Sequence, residues 1–269
     1  MRASHPYLDL PGPWLVAHRG ASDVAPENTL PAFDRAAALR VDALEIDVHR
    51  SADDVVFVSH DDDTRRITGE AGTIEGRTAA EVAALDAGFS FTPDGGATFP
   101  FRGAGVRIPT LAEVLLRYPS MRLSIDAKTA DAPLARALAD AIRAAHAEER
   151  VMVGSFVDAQ ARRLGRLLPG VCRFLPQRAA AWHVLGAALR VPPLWRPAYQ
   201  LAALPRRHGR IEVMNPRLVR HLHRCGVPVH VWTVDDETEM RELLALGVDG
   251  LITNRPAVAA RVMGRRAPP

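Results

Sequence analysis

Most of the side chains that could do chemistry in this chain lie at the ends of a few short apolar runs. In residues 43–61, ALEIDVHRSADDVVFVSHD, Glu45 and Asp47 stand two apart. Alternate residues of an extended strand share a face, so both carboxylates point one way while Ile46 and Val48 point the other. Two acids on one face of a buried strand are costly unless a cation or hydrogen-bond donors neutralise them. The run at 55–58 delivers His60 and Asp61, and the run at 15–17 delivers His18, Arg19 and Gly20. In residues 122–128, RLSIDAK, the residues Ser124, Asp126 and Lys128 share one face.

Carboxylate oxygens suit one hard divalent cation such as Mg²⁺ or Ca²⁺, with Mn²⁺ a third choice. Two histidines flanking such an ion suit proton transfer near neutral pH, one as base and one as acid. Arg19 and Lys128 would hold an anion, most naturally a phosphate. Each feature alone has a plainer explanation. A histidine after a strand is more often structural, the acids could pair with Arg50 or Lys128, and Asp126 with Lys128 could be a buried ion pair. Convergence carries the argument, because a purely structural core would not gather three acids, two histidines and two cations at strand ends. Trp232, at another strand end, is read either as a wall of the substrate pocket or as core filling beneath it. Phe156 has the same two readings, tilted toward core.

Apolar runs alternate with helical patterns along the whole chain. Strands are expected at 14–17, 43–48, 55–58, 122–128, 151–156, 171–175, 211–214, 227–234 and 248–253. Helices are expected from 26–29 onward and at 78–85, 111–117, 132–147, 159–168, 216–224 and 237–246, with Asn28 or Thr29 capping the first. Such alternation indicates a parallel sheet covered on both faces. About eight units point to a single (β/α)₈ TIM-type barrel. The link between the second and third strands is too short for a crossover helix. Residues 48–54 are therefore expected to run back extended, leaving one helix missing. Residues 64–105, rich in Gly, Thr and Asp, read as an insertion after the third strand. The domain reading is an N-terminal arm at 1–13, a barrel at 14–260 and a tail at 261–269. Residues 177–210 are expected to form helix and loop over the pocket, with the apolar stretch 179–195 read chiefly as a core helix and otherwise as a peripheral membrane contact.

Composition narrows the function classes. The chain has 269 residues, 48% hydrophobic and 24% charged, as in a globular enzyme. Its formal charge of +3 carries no block of like charge, so a nucleic-acid partner is not expected. No uncharged apolar run reaches the length of a spanning helix. The first residues, MRASHPYLDLPGPW, lack the apolar centre of a signal peptide. Cys172 and Cys225 are read as free thiols in a reducing cytoplasm.

These residues lie in motifs that make the sequence similar to the glycerophosphodiester phosphodiesterase family: HRGASDVAPENT, ALEIDVHRSADDVVFVSHD, RLSIDAK, VGSF, VHVWTVDD and GVDGLITNRP. The resemblance runs over residues 18–256. It implies a barrel with an inserted segment and a divalent metal held by Glu45, Asp47 and Asp126. It also implies His18 and His60 as the acid–base pair. The implied activity is hydrolysis of small glycerophosphodiesters to glycerol 3-phosphate and an alcohol. Two alternatives are a phospholipase D-like hydrolysis of lysophospholipids at the same centre and a non-catalytic phosphate-binding barrel. In one respect the chain departs from the family: members often carry Glu where it has Asp126.

Overall fold

Strand β2 shows how the sequence builds its core. Ala43–Arg50 alternates so that Leu44, Ile46 and Val48 pack outward among the helices, while Glu45 and Asp47 face the other way, as period two requires. In the computed structural model, which describes residues 5–191 and 198–265, the same logic repeats around a ring. The strands are β1 (Trp14–His18), β2 (Ala43–Arg50), β3 (Val56–Val58), β4 (Arg122–Ala127), β5 (Val151–Gly154) and β6 (Cys172–Arg173). They continue as β7 (Ala202–Pro205), β8 (Arg207–His208), β9 (Ile211–Glu212), β10 (Val229–Trp232) and β11 (Gly250–Thr253). Eight of these pair in parallel in the order β6-β5-β4-β2-β1-β11-β10-β7. The ring closes through a parallel bridge between Phe174 and Leu201. It is the TIM-type architecture expected.

The helices are α1 (Leu30–Ala38), α2 (Arg65–Thr68), α3 (Ala79–Ala83), α4 (Leu111–Arg117), α5 (Ala132–Ala144), α6 (Asp158–Leu167), α7 (Gln177–Ala188), α8 (Pro216–Arg224), α9 (Glu237–Leu246) and α10 (Pro256–Val262). Their buried faces form one large apolar layer with the outward strand residues. A second cluster fills the barrel interior, with Val16, Ala43, Met152, Phe174 and Ile252 joined by Tyr7 and Trp14. Tyr7 comes from the N-terminal arm, stacks 5.5 Å from Trp14, and is almost wholly buried. Thr29, not Asn28, takes the N-cap position of α1.

Three expectations need correction. Residues 56–58 are not a barrel strand. β3 pairs antiparallel with the far end of β2, Val48 opposite Val58, and the chain turns through 51–55 with Asp54 at φ 67°. A hairpin replaces the extended return, so no crossover helix is missing: α4 serves β2 and β4. The segment between the hairpin and α4 has its own small core of Ile67, Ile74, Val82, Leu85, Val106 and Ile108, closed against Phe57. Second, a barrel strand lies where helix and loop were expected. β7 pairs in parallel with β10, but its sequence, AALP, lacks the β-branched and aromatic residues that mark strands. Third, the strand expected at 211–214 is only a short exposed hairpin arm, Ile211–Glu212 against Arg207–His208.

The stretch 177–210 differs from expectation in a further way. α7 is not a core helix: Trp182 is 69% exposed and Leu189 65%, with Leu185 also exposed. Trp195, which the expected apolar stretch included, lies outside the described residues. No helix among the described residues is long and apolar enough to cross a membrane.

Candidate active site

Strand register assembles the rim. His18 at the end of β1 lies opposite Glu45 on β2, and Asp47 lies opposite Asp126 on β4. His18 Nε2 stands 3.8 Å from Glu45 Oε2. Lys128, just past β4, places its Nζ 2.8 Å from Asp47 Oδ1 and 2.9 Å from Asp126 Oδ2. Arg19 Nε lies 3.1 Å from the other oxygen of Asp47, and Asn28 Nδ2 donates to that same oxygen at 3.1 Å.

The backbone is bent to allow this. Arg19 and Asn28 both have φ near +55° and are tied by a hydrogen bond from Asn28 N to Arg19 O. Non-glycine residues in this region carry strain that the surroundings must hold. Between them Gly20, at φ 89°, passes so close to α1 that a Cβ would lie 2.7 Å from Ala32. Only glycine fits there.

Charge does not balance within this group. Glu45, Asp47 and Asp126 face two permanent cations, Arg19 and Lys128, all at least largely buried. Asp47 takes most of the compensation. Burial alone would raise its pKa, but Lys128 and Arg19 overcome this and hold it below the usual carboxylate range. Glu45 receives the least. Burial first, then the Asp47 charge, drives its pKa well above the ordinary value. Asp126 is pushed up to about 6 by burial, opposed by Lys128 and reinforced by Asp47. Three buried oxygens, Asn28 Oδ1, Glu45 Oε2 and Asp126 Oδ1, have no hydrogen-bond partner. A surplus negative charge with orphaned hard oxygens suits a bound cation or a proton. The three carboxylates do not, however, form a tight cage: among the described residues, the one trio of metal-ligating types whose donor atoms all lie within 4.8 Å of each other is elsewhere.

Each histidine is oriented by a partner. His18 Nδ1 donates to Asn254 Oδ1 at 2.7 Å, and Asn254 Nδ2 in turn donates to Asp235 Oδ2 at 2.7 Å. That chain fixes the tautomer and leaves the Nε2 lone pair facing Glu45. Burial and the Arg19 charge lower the His18 pKa, which favours the neutral ring that can accept a proton. His60 Nδ1 is held 2.7 Å from Asp61 Oδ1, and its Nε2 remains available. Asp61 is gripped by Arg66 of α2, which also makes two hydrogen bonds to Glu27, itself 3.0 Å from Arg19 NH1. One connected network therefore runs from His60 to Lys128.

The structure thus brings together His18, Arg19, Glu45, Asp47, Asp126 and Lys128 by direct contact, and joins His60 to them through Asp61, Arg66 and Glu27. Sequence reasoning gave Asn28 only a candidate role as helix cap, and none to Asn254, Asp235, Glu27 or Arg66. Four of them lie in the quoted motifs, but only contacts distant in sequence reveal what they hold. Trp232 stands at the rim end of β10, its ring edge-on to Phe156 at 5.5 Å and its Nε1 buried without a partner. Phe156 is 37% exposed rather than core. The two make an apolar wall beside the polar group.

Residues 18–258 match a model of the glycerophosphoryl diester phosphodiesterase family. A glycerophosphodiester phosphodiesterase from Caldanaerobacter subterraneus subsp. tengcongensis is 34% identical over 90% of this chain and 94% of its own length. The glycerophosphoryl diester phosphodiesterase domain of a Mycobacterium tuberculosis protein has a similar structure, with a TM-score of 0.83 at 24% identity over 95% of this chain and 100% of that one. An Oleispira antarctica phosphodiesterase, solved in complex with the product sn-glycerol-3-phosphate, gives 0.74 at 23% identity over 94% and 97%. At these identities the two solved structures bear on the fold.

Proposed function

The chain belongs to the glycerophosphoryl diester phosphodiesterase family, a family of phosphoric diester hydrolases, and from that premise we propose that it cleaves glycerophosphodiesters to glycerol 3-phosphate and an alcohol. The observation that carries the mechanism is the chain Asp235–Asn254–His18, which presents a neutral Nε2 to the rim. His18 is the general base: it takes the proton of the attacking oxygen as that oxygen bonds to phosphorus, either from water, which gives glycerol 3-phosphate directly, or from the neighbouring glycerol hydroxyl, which gives a cyclic phosphodiester that a water then opens to glycerol 3-phosphate. The ester P–O bond breaks on the opposite side, and His60, oriented by Asp61, gives its Nε2 proton to the departing alcohol oxygen. Lys128 has three N–H groups and two carboxylate partners, so one donor remains for a phosphoryl oxygen, and Arg19 contributes its unengaged edge.

Glu45, through Oε2, and Asp126, through Oδ1, would hold one divalent cation, with Asp47 adding a remaining lone pair. Bound there, Mg²⁺, Ca²⁺ or Mn²⁺ would neutralise charge on the phosphoryl group. Trp232 and Phe156 would shield one side of the substrate. In this reading one barrel, residues 14–260, does the work, and the inserted residues 64–105 supply Arg66. A cytoplasmic setting, with both cysteines as thiols, goes with it.

The test is a panel of choline, ethanolamine and glycerol glycerophosphodiesters, assayed for glycerol 3-phosphate before and after chelation. Release that stops on chelation and returns with Mg²⁺, Ca²⁺ or Mn²⁺ is expected. Undiminished turnover in metal-free protein would refute the metal, and release of no glycerol 3-phosphate from any diester would refute the substrate class. The exposed apolar face of α7 favours a second reading, in which lysophospholipids are cleaved by the same groups. Faster turnover of lysophospholipid micelles than of soluble diesters would select it.

A further inference from the structure

Away from the rim, α7 and α8 pack side by side and bring His183 together with His221 and Cys225. His221 and Cys225 are four residues apart, so they share one face of α8 and its C-cap. His183 Nδ1 lies 3.2 Å from His221 Nε2 and 4.0 Å from Cys225 Sγ. All three donors fall within 4.8 Å of one another.

In the metal-free protein hydrogen bonds account for both contacts, the Cys225 thiol reaching His183 Nδ1 at the long end of the range for sulfur. A shared ion replaces both with shorter bonds to one centre. Zinc–nitrogen bonds of about 2.0–2.1 Å and a zinc–sulfur bond of about 2.3 Å, at tetrahedral angles, imply N···N near 3.3 Å and N···S near 3.6 Å. The two nitrogens are already near that spacing, and the sulfur is a few tenths of an ångström too far from His183 Nδ1 and within 4.8 Å of the His221 nitrogen. We propose that His183, His221 and Cys225 form a second metal site, for a thiophilic ion of the Zn²⁺ type, that staples α7 to α8.

The protonation states suit this. Burial lowers the pKa of both histidines, aided by His221 acting on His183 and by Arg224 acting on His221, the direction that favours the neutral ring a metal needs. Burial raises that of Cys225, so binding must release the thiol proton to solvent. A cleft of about 350 Å³ reaches His221 and is lined by Arg190, Arg217, Arg220 and Arg224. It gives an ion access and leaves the fourth position to water or a small anion. Those arginines oppose a dication, and the thiolate offsets one charge.

The site is tested in the full chain, stripped of metal and titrated with Co²⁺ and Zn²⁺. Co²⁺ should produce a thiolate-to-cobalt charge-transfer band in the near ultraviolet, which the all-oxygen donors and histidines of the rim cannot give. Cys225→Ser should abolish that band and His221→Gln should weaken it. Zn²⁺ at a hundredfold excess over its Kd should raise Tm by about 5 °C more in the parent than in Cys225→Ser, since any binding at the rim is common to both. Both variants should keep the hydrolytic activity of the parent. Absence of the band in the parent, or a Zn²⁺-induced Tm rise equal in parent and Cys225→Ser, would overturn the proposal.

Discussion

His18 acts through its neighbours. Asn254 accepts from its Nδ1 and thereby aims its Nε2, so the two residues should fail in different ways. His18→Ala should lower kcat by about 100-fold or more, as expected on losing a positioned proton-transfer group. Asn254→Ala should cost about tenfold with a smaller effect on KM, since it disturbs orientation alone. His60→Ala should match the His18 defect on diesters with a poor leaving alcohol, and a nitrophenyl leaving group should relieve it, while leaving His18→Ala unrelieved. Equal relief of both variants would contradict the division into base and acid. Asp126 is the residue at which the chain leaves the commoner family pattern. One of its oxygens is on Lys128 and the other is unpartnered. Asp126→Ala should therefore lose both metal affinity and turnover, whereas Asp126→Glu should retain activity with an altered preference among Mg²⁺, Mn²⁺ and Ca²⁺. Metal titration followed by activity at saturating metal checks both, and parental affinity and turnover in Asp126→Ala would remove this residue from the ligand set.

Among elements, the β2–β3 hairpin and α2 set the geometry of the second histidine. The hairpin folds back on β2, and Arg66 of α2 binds both Asp61 and Glu27. Arg66 is half exposed, so it contributes little to stability as a surface pair. Its contribution is to hold His60 on its partner. Arg66→Gln should leave Tm within about 2 °C of the parent and lower kcat by about tenfold. A large loss of Tm with normal kcat in the folded fraction would mean that Arg66 is structural only. Helices starting at Thr78 and Thr110 were legible in the sequence, because each begins a capping box closed by Glu81 or Glu113. β7 was not legible, because a four-residue strand of small residues is made by its neighbours β10 and β6 rather than by its own propensity.

For the whole molecule, the barrel interior stores a dependence on pH. His230 on β10 is buried against Trp14, 5.4 Å between rings, and crowds Gly250. Burial pushes its pKa down to about 4 from 6.5, despite the opposing charges of Asp249 and Asp42. Between those values the unfolded chain binds a proton that the folded chain refuses, so stability falls as pH drops from about 6.5 toward 4. The full effect is roughly 3 kcal/mol. His230→Phe keeps an aromatic ring on Trp14 and removes the titration. The difference in urea midpoint between parent and variant should shift in favour of the variant as pH falls from 7 to 4.5, with the carboxylates common to both cancelling. Curves that stay parallel would show that His230 titrates alike in both states.

The sequence by itself determined which groups share a face and where along the chain they emerge. Period two alone aligns Glu45 with Asp47 and Asp126 with Lys128, and strand–helix alternation alone points to a parallel barrel, because both follow from local backbone geometry. Only the tertiary structure decided which side chains meet. His18 reaches Asn254 across 236 positions because β1 pairs with β11. Asn28 reaches Asp47 because a strained turn carries it back over β2. Lys128 neutralises Asp47 as well as Asp126 because register sets those two acids opposite each other. Such pairings depend on how strands register and how the ring closes, and no local periodicity encodes either.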